Sequence, residues 1–200
     1  MLVLALDTST TTVVVGLVDT TSGLVDQRQA VGERRHGEVL AVTVQQVLAG
    51  RAADLGAIVV GLGPGPFTGL RVGIVTAASL GDALGLPVHG VCSLDGLAQP
   101  GRATLAVTDA RRREVYWAAY DEQGTRVDGP QVTAPDVARA AAAGRVVVGD
   151  GAHLYAFDGV LAEPRAPQVG RLVERVDLVA PPGPLTPLYL RRPDAQEPIR

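Results

Sequence analysis

The residues Asp7-Thr8-Ser9-Thr10 place a carboxylate, three hydroxyls and a run of backbone amides directly after the apolar segment Leu2 to Leu6. A carboxylate followed by hydroxyls and turn amides can face a phosphate or the water shell of a Mg²⁺ ion. The same residues also suit an Asx-type turn that ends a strand. Asp109, which closes the apolar run Thr104 to Thr108, is the candidate mate across a cleft. It is followed by Ala110 and Arg111-Arg112-Arg113. Glycines, which let a phosphate approach the backbone closely, are missing there.

The most distinctive stretch is Gly63-Pro64-Gly65-Pro66-Phe67-Thr68-Gly69-Leu70-Arg71-Val72-Gly73. Its glycines and prolines force a tight turn, and helical periodicity begins straight after it. Helix N-termini attract anions, so the loop reads either as an anion or ligand site or as a rigid connector. It lacks the glycine-lysine pair of a Walker loop. All 18 basic residues are arginine, which excludes a lysine phosphate clamp and a Schiff base. A metal site on a helix commonly pairs histidines four apart, but Leu40 stands four after His36. The single cysteine, Cys92, leaves no internal disulfide and reads as a small buried hydrophobe. No G-x-S-x-G or H-E-x-x-H motif is present. Arg111 to Arg113 read as a solvated turn, a small cationic patch useful only within a larger complex. With a net charge of −3, the chain is not expected to hold a polyanion unaided.

The elements that must position these residues follow from periodicity. Leu2 to Leu6, Thr11 to Val18 and Leu24 to Val31 read as a β-meander. A helix over about 36–49 carries Leu40, Val44, Val47 and Leu48 on one face. Ala57 to Leu62 is a strand, about Phe67 to Leu84 a helix, and Val88 to Val91 a strand. Within that second helix Gly69, Gly73, Ala77 and Gly81 recur every four residues and make a bare ridge. Gln99-Pro100-Gly101 marks a boundary between a lobe over 1–100 and a smaller one over 101–200. The second lobe opens with a hairpin, Thr104 to Thr108 and Val115 to Tyr120. A helix capped by Thr133 follows over about Pro135 to Ala143, then a strand from Arg145 to Val148 and a helix near Val169 to Val176. This order is α/β with an antiparallel start. Apolar residues make up 46% of the 200, and aromatics 4%, so the core must be Val, Leu and Ala. No segment has the ~20 apolar residues needed to cross a bilayer, and the start MLVLALDTST lacks the basic region of a signal peptide. A cytoplasmic protein without membrane contact is expected.

Four segments together resemble one family: Leu4-Ala5-Leu6-Asp7-Thr8-Ser9; the loop with Phe67 to Gly73; Arg35-His36 with Glu38 and Leu40; and Pro187-Leu188-Tyr189-Leu190-Arg191-Arg192-Pro193-Asp194. They are similar to the TsaB (YeaZ) family, the dimerisation subunit of tRNA threonylcarbamoyladenosine synthesis. The likeness is good over residues 1–95 and loose over 125–180. It implies an actin-, Hsp70- and sugar-kinase-like (ASKHA, ribonuclease H-like) two-lobed α/β fold, with mixed sheets flanked by helices. It implies a homologous partner, TsaD, that carries the metal and the transferase site, and an ATPase, TsaE. Their complex would move a threonylcarbamoyl group from its adenylate to N6 of the adenosine beside the anticodon, in tRNAs reading codons that start with A. This chain would then have no catalytic residue, metal or cofactor of its own, touch tRNA only through the complex, and pair with itself when alone. The helices near 36–49 and 67–84 would form the pairing surface through His36, Val39, Thr43, Gly69, Arg71, Val72, Gly73, Thr76 and Ala77, with Leu40, Val44 and Leu48 pointing inward. The small ridge suits either that contact or packing on the chain's own sheet. Asp7, Thr8, Ser9 and Thr10 would be a weak nucleotide contact. The alternatives are an active kinase or ATPase of the same superfold, and a peptidase.

Overall fold

The computed structural model describes residues 1–32 and 36–191. The readings placed on Arg35 and on Arg192 to Asp194 lie outside the described residues. Strands β1 (Leu2–Asp7), β2 (Thr12–Asp19) and β3 (Leu24–Val31) form the antiparallel meander. After helix α1 (His36–Leu48), β4 (Leu55–Gly61) returns beside β1 in parallel. Helix α2 (Phe67–Leu84) then crosses to β5 (Val88–Val91), parallel to β4. The sheet order is β3-β2-β1-β4-β5.

Alternation along β1 explains why this sheet is covered on both faces. Leu4 and Leu6 join Val13, Val15 and Leu17 in a core with Leu40, Val44 and Val47 of α1 and Leu70, Ile74 and Ala77 of α2. Val3 and Ala5 point the other way, into a second core with Val169, Leu172 and Val173 of α5 (Val169–Glu174). Gly16 in β2 is needed there: a Cβ would stand 2.7 Å from both Asp26 O and Val169 Cγ2.

The second sheet has the order β8-β7-β6-β9, built from β6 (Thr104–Asp109), β7 (Val115–Tyr120), β8 (Arg126–Thr133) and β9 (Val146–Val148). One of its faces packs on Cys92, Leu94 and Leu97 of the connection from the first sheet, the other on Ala138, Ala152 and Phe157. The helix expected to run to Ala143 stops at Ala140, as α3 (Pro135–Ala140), and its N-cap is Ala134. Thr133 instead ends β8, where its hydroxyl accepts a hydrogen bond from Trp117 Nε1 at 3.0 Å. The eight-residue β8 and α4 (Asp150–Leu154) are additions to the expected order.

The two sheets are tied together by residues 185–191. Leu185 and Leu188 pack on the α1/α2 core, and Leu188 and Leu190 on the second sheet. Leu188 N donates to Leu62 O at 2.8 Å. The fold is therefore the expected α/β one, two mixed sheets flanked by helices.

Candidate functional site

The turn after β1 faces inward. Asp7, Thr8, Ser9 and Thr10 are all buried. Ser9 donates twice to Asp7 Oδ1, from its amide at 2.8 Å and its hydroxyl at 2.6 Å. Thr8 Oγ1 donates to Gly69 O at 2.8 Å, which pins the turn to α2. Thr10 Oγ1 donates to Thr12 O and accepts from Thr12 N, each at 3.1 Å. Asp7 Oδ2 has no hydrogen-bond partner among the described residues. Burial raises the Asp7 pKa above its ordinary value, and Ser9, with the Ser93 hydroxyl beside it, offsets only part of that. This is the Asx turn, with its hydroxyls and Asp7 Oδ1 bonded inside the chain. It is not an open phosphate loop.

The Asp109 carboxylate is engaged locally. Its Oδ1 accepts from Arg111 N at 2.8 Å and from the Tyr155 hydroxyl at 3.2 Å, and its Oδ2 pairs with Arg111 at 3.4 Å. The carboxylate thus holds its own hairpin. Arg111, Arg112 and Arg113 all have positive φ, at 61°, 54° and 61°.

The small ridge of α2 meets the chain itself. A Cβ on Gly69 would come within 2.7 Å of Thr8 O, and one on Gly73 would overlap Thr8 Oγ1. A Cβ on Gly81 would overlap the Val88 side chain, and Ala77 is fully buried in the core. Gly69, Gly73 and Ala77 therefore pack inside the chain, the second of the two arrangements that the small ridge suits. The reason is that β1 and its turn approach α2 too closely for a side chain. Thr43 is buried as well, its hydroxyl donating to Val39 O at 2.7 Å.

The remaining candidates stay at the surface. Arg71 is exposed, while His36, Val39, Val72 and Thr76 are half-buried. His36 Nε2 lies 3.0 Å from Thr10 O. Leu40 and Val44 point inward as expected. Two apolar residues of this face escaped the sequence reading: Val42 on α1 is 53% exposed and Val75 on α2 61%. The available signal was that each is a valine outside the buried stripe of its helix.

Beside the start of α2 lies a cavity of about 210 Å³, lined by Phe67, Arg111, Arg112, Tyr189 and Arg191 among others. Phe67 stacks on Tyr189 with centroids 5.2 Å apart. Arg71 lies 3.9 Å over the Phe67 ring and donates from Nε to the Tyr189 hydroxyl at 3.1 Å. Among the described residues no three His, Cys, Asp or Glu side chains converge as a metal site would require. Burial, then the nearby Asp95 charge, pushes the Cys92 thiol up to about 12, so it is not a thiolate nucleophile at neutral pH.

A family model described as "TsaD: tRNA N6-adenosine threonylcarbamoyltransferase" matches residues 28–151. The solved structure of YeaZ from Pseudomonas aeruginosa superposes with a TM-score of 0.70 at 30% identity, covering 86% of this chain and 89% of that one. The chain belongs to the TsaB (YeaZ) family. A relative from Mycobacterium tuberculosis, called an uncharacterized protein, is 49% identical over 200 residues, covering 97% of this chain and 93% of its own. The Escherichia coli tRNA threonylcarbamoyladenosine biosynthesis protein TsaB is 37% identical over 135 residues, 62% of this chain and 58% of that protein. No helix among the described residues is long and apolar enough to cross a membrane.

Proposed function

We propose that this chain is the non-catalytic subunit that pairs with and activates a TsaD-like transferase, which threonylcarbamoylates the adenosine beside the anticodon in tRNAs reading codons that start with A. The observation that carries the reading is the outer face of α1 and α2. The two helices touch one another, Val42 on α1 and Val75 on α2 stand exposed, Val39 and Val72 are half-buried, and Gln45, Gln46 and Arg71 of the same helices are exposed. Exposed apolar side chains interspersed with polar ones on neighbouring helices suit a protein interface. Meanwhile the Asp7 turn, the residue set best suited to phosphate chemistry, is folded inward. ATP and metal would then belong to the partners, a TsaE-like ATPase among them. The chain would meet tRNA within the complex, and would pair with itself through the same face when alone.

An active kinase of the same superfold needs an open cleft between its sheets. Here residues 185–191 bridge them, with Leu188 bonded to Leu62 and Arg191 donating to Ala110 O at 2.8 Å. A peptidase role finds no support in the buried, high-pKa thiol of Cys92. The test is reconstitution of tRNA modification from TsaD and TsaE with and without this chain. Strong stimulation is expected, with no ATP hydrolysis or casein cleavage by the chain alone. Equal modification in its absence would overturn the proposal.

A further inference from the structure

Three arginines from two separate segments line the 210 Å³ cavity, Arg111 and Arg112 of the β6–β7 hairpin and Arg191, while Arg71 of α2 stands over the lining residue Phe67. Arg71 and Arg111 to Arg113 are exposed. Arg111 pairs with Asp109, and Arg191 with Glu114. The hairpin holds three successive non-glycine residues in the left-handed region, a strained conformation for residues with a side chain. Such strain marks functional segments. The chain has only two phenylalanines, and it spends one, Phe67, at the surface in a stack with Tyr189. Arg71 braces both rings.

Flat rings beside guanidinium groups match one ligand chemistry: an unstacked base joined to phosphates. We infer that this cavity holds an unpaired nucleotide of an RNA strand, its base against Tyr189 and the flanking phosphates on Arg111 and Arg112. The inference rests on the proposed role in tRNA modification for the source of that strand, and it makes this chain a direct RNA contact.

The test is fluorescence anisotropy of the full chain with a labelled, unpaired RNA of about ten nucleotides, at salt from ~50 to ~200 mM. The wild type binds saturably. Arg111→Ala with Arg112→Ala weakens binding roughly tenfold or more and lowers the salt slope by about 1.4, near 0.7 per lost phosphate contact. Tyr189→Ala weakens it roughly fivefold without altering the slope, and Tyr189→Phe binds like the wild type. Thermal melts of each variant establish that it is folded. Wild-type affinity in both the arginine and the Tyr189→Ala variants, or equal binding of a duplex, overturns the inference. Competition by AMP at the same concentration as the oligonucleotide also overturns it, in favour of a free-nucleotide site. RNA binding without stimulation of TsaD defeats the proposed role and leaves this inference standing. Stimulation without RNA binding does the reverse.

Discussion

Asp7 is a carboxylate whose position was legible and whose environment was not. An aspartate at the end of an apolar run announces a strand-ending turn. Whether it opens to a ligand or turns inward depends on Gly61, whose missing side chain makes room for Asp7 Oδ2. That proximity joins residues far apart in the sequence. Its raised pKa has a definite consequence for stability. The folded state binds the Asp7 proton more tightly than the unfolded state, so this contribution is full below the ordinary value of 3.8 and is lost as pH rises through the folded value. Asp95 and Asp150 are raised by burial in the same direction. Asn at position 7 keeps the acceptor for Ser9 and removes the charge. Asp7→Asn should therefore gain stability relative to wild type as pH rises above the ordinary carboxylate value of 3.8. Urea unfolding at several pH values measures it. A pH-independent difference would show that the buried charge costs nothing. A second residue-scale case is Gly73 against Thr8. Gly73→Ala should cost about 1–3 kcal/mol by overpacking, and Thr8→Ala should recover part of that in a double-mutant cycle. Simple additivity would mean the two side chains never meet.

Helix α2 has the bounds that the sequence announced, Phe67 to Leu84. Gly63 to Pro66 cannot be helical in front of it, and Gly85 stops it with φ 64°. Strand β8 was not legible, because Gly129-Pro130 lies inside it and reads as a break. A proline is tolerated there because β8 is an edge strand. Helix α4 is five residues long, too short for any periodicity to show. Which side of α2 faces the core was also hidden, since a four-residue run of small residues packs equally well on a neighbour or on its own sheet. Its outer side now carries the prediction for α1 and α2 together. Val42→Arg or Val75→Arg should weaken pairing with TsaD about tenfold or more, as a charge in an apolar contact does. The melting temperature should hardly move, because both residues are exposed. Unchanged affinity by calorimetry would place the interface elsewhere.

At the scale of the whole molecule, two sheets are held by a linker and a strap. The linker runs through the 3₁₀ turn Ser93–Leu97, where Asp95 accepts from the Tyr120 hydroxyl at 2.8 Å and pairs with Arg126 at 3.3 Å. The strap, residues 185–191, rests three leucines on the two cores. Ending the chain before Leu185 should cost about 3 kcal/mol or more, on the order of 1 kcal/mol for each half-buried leucine. A chemical denaturation curve would show the loss, and undiminished stability would mean the strap contributes nothing.

Because Leu188 closes a gap beside Leu62, residues 63–187 must be synthesised before the first core can be completed. At ~5–20 residues per second, the ribosome leaves that edge uncovered for on the order of ten seconds. During that interval the nascent chain shows leucine side chains that the finished protein hides.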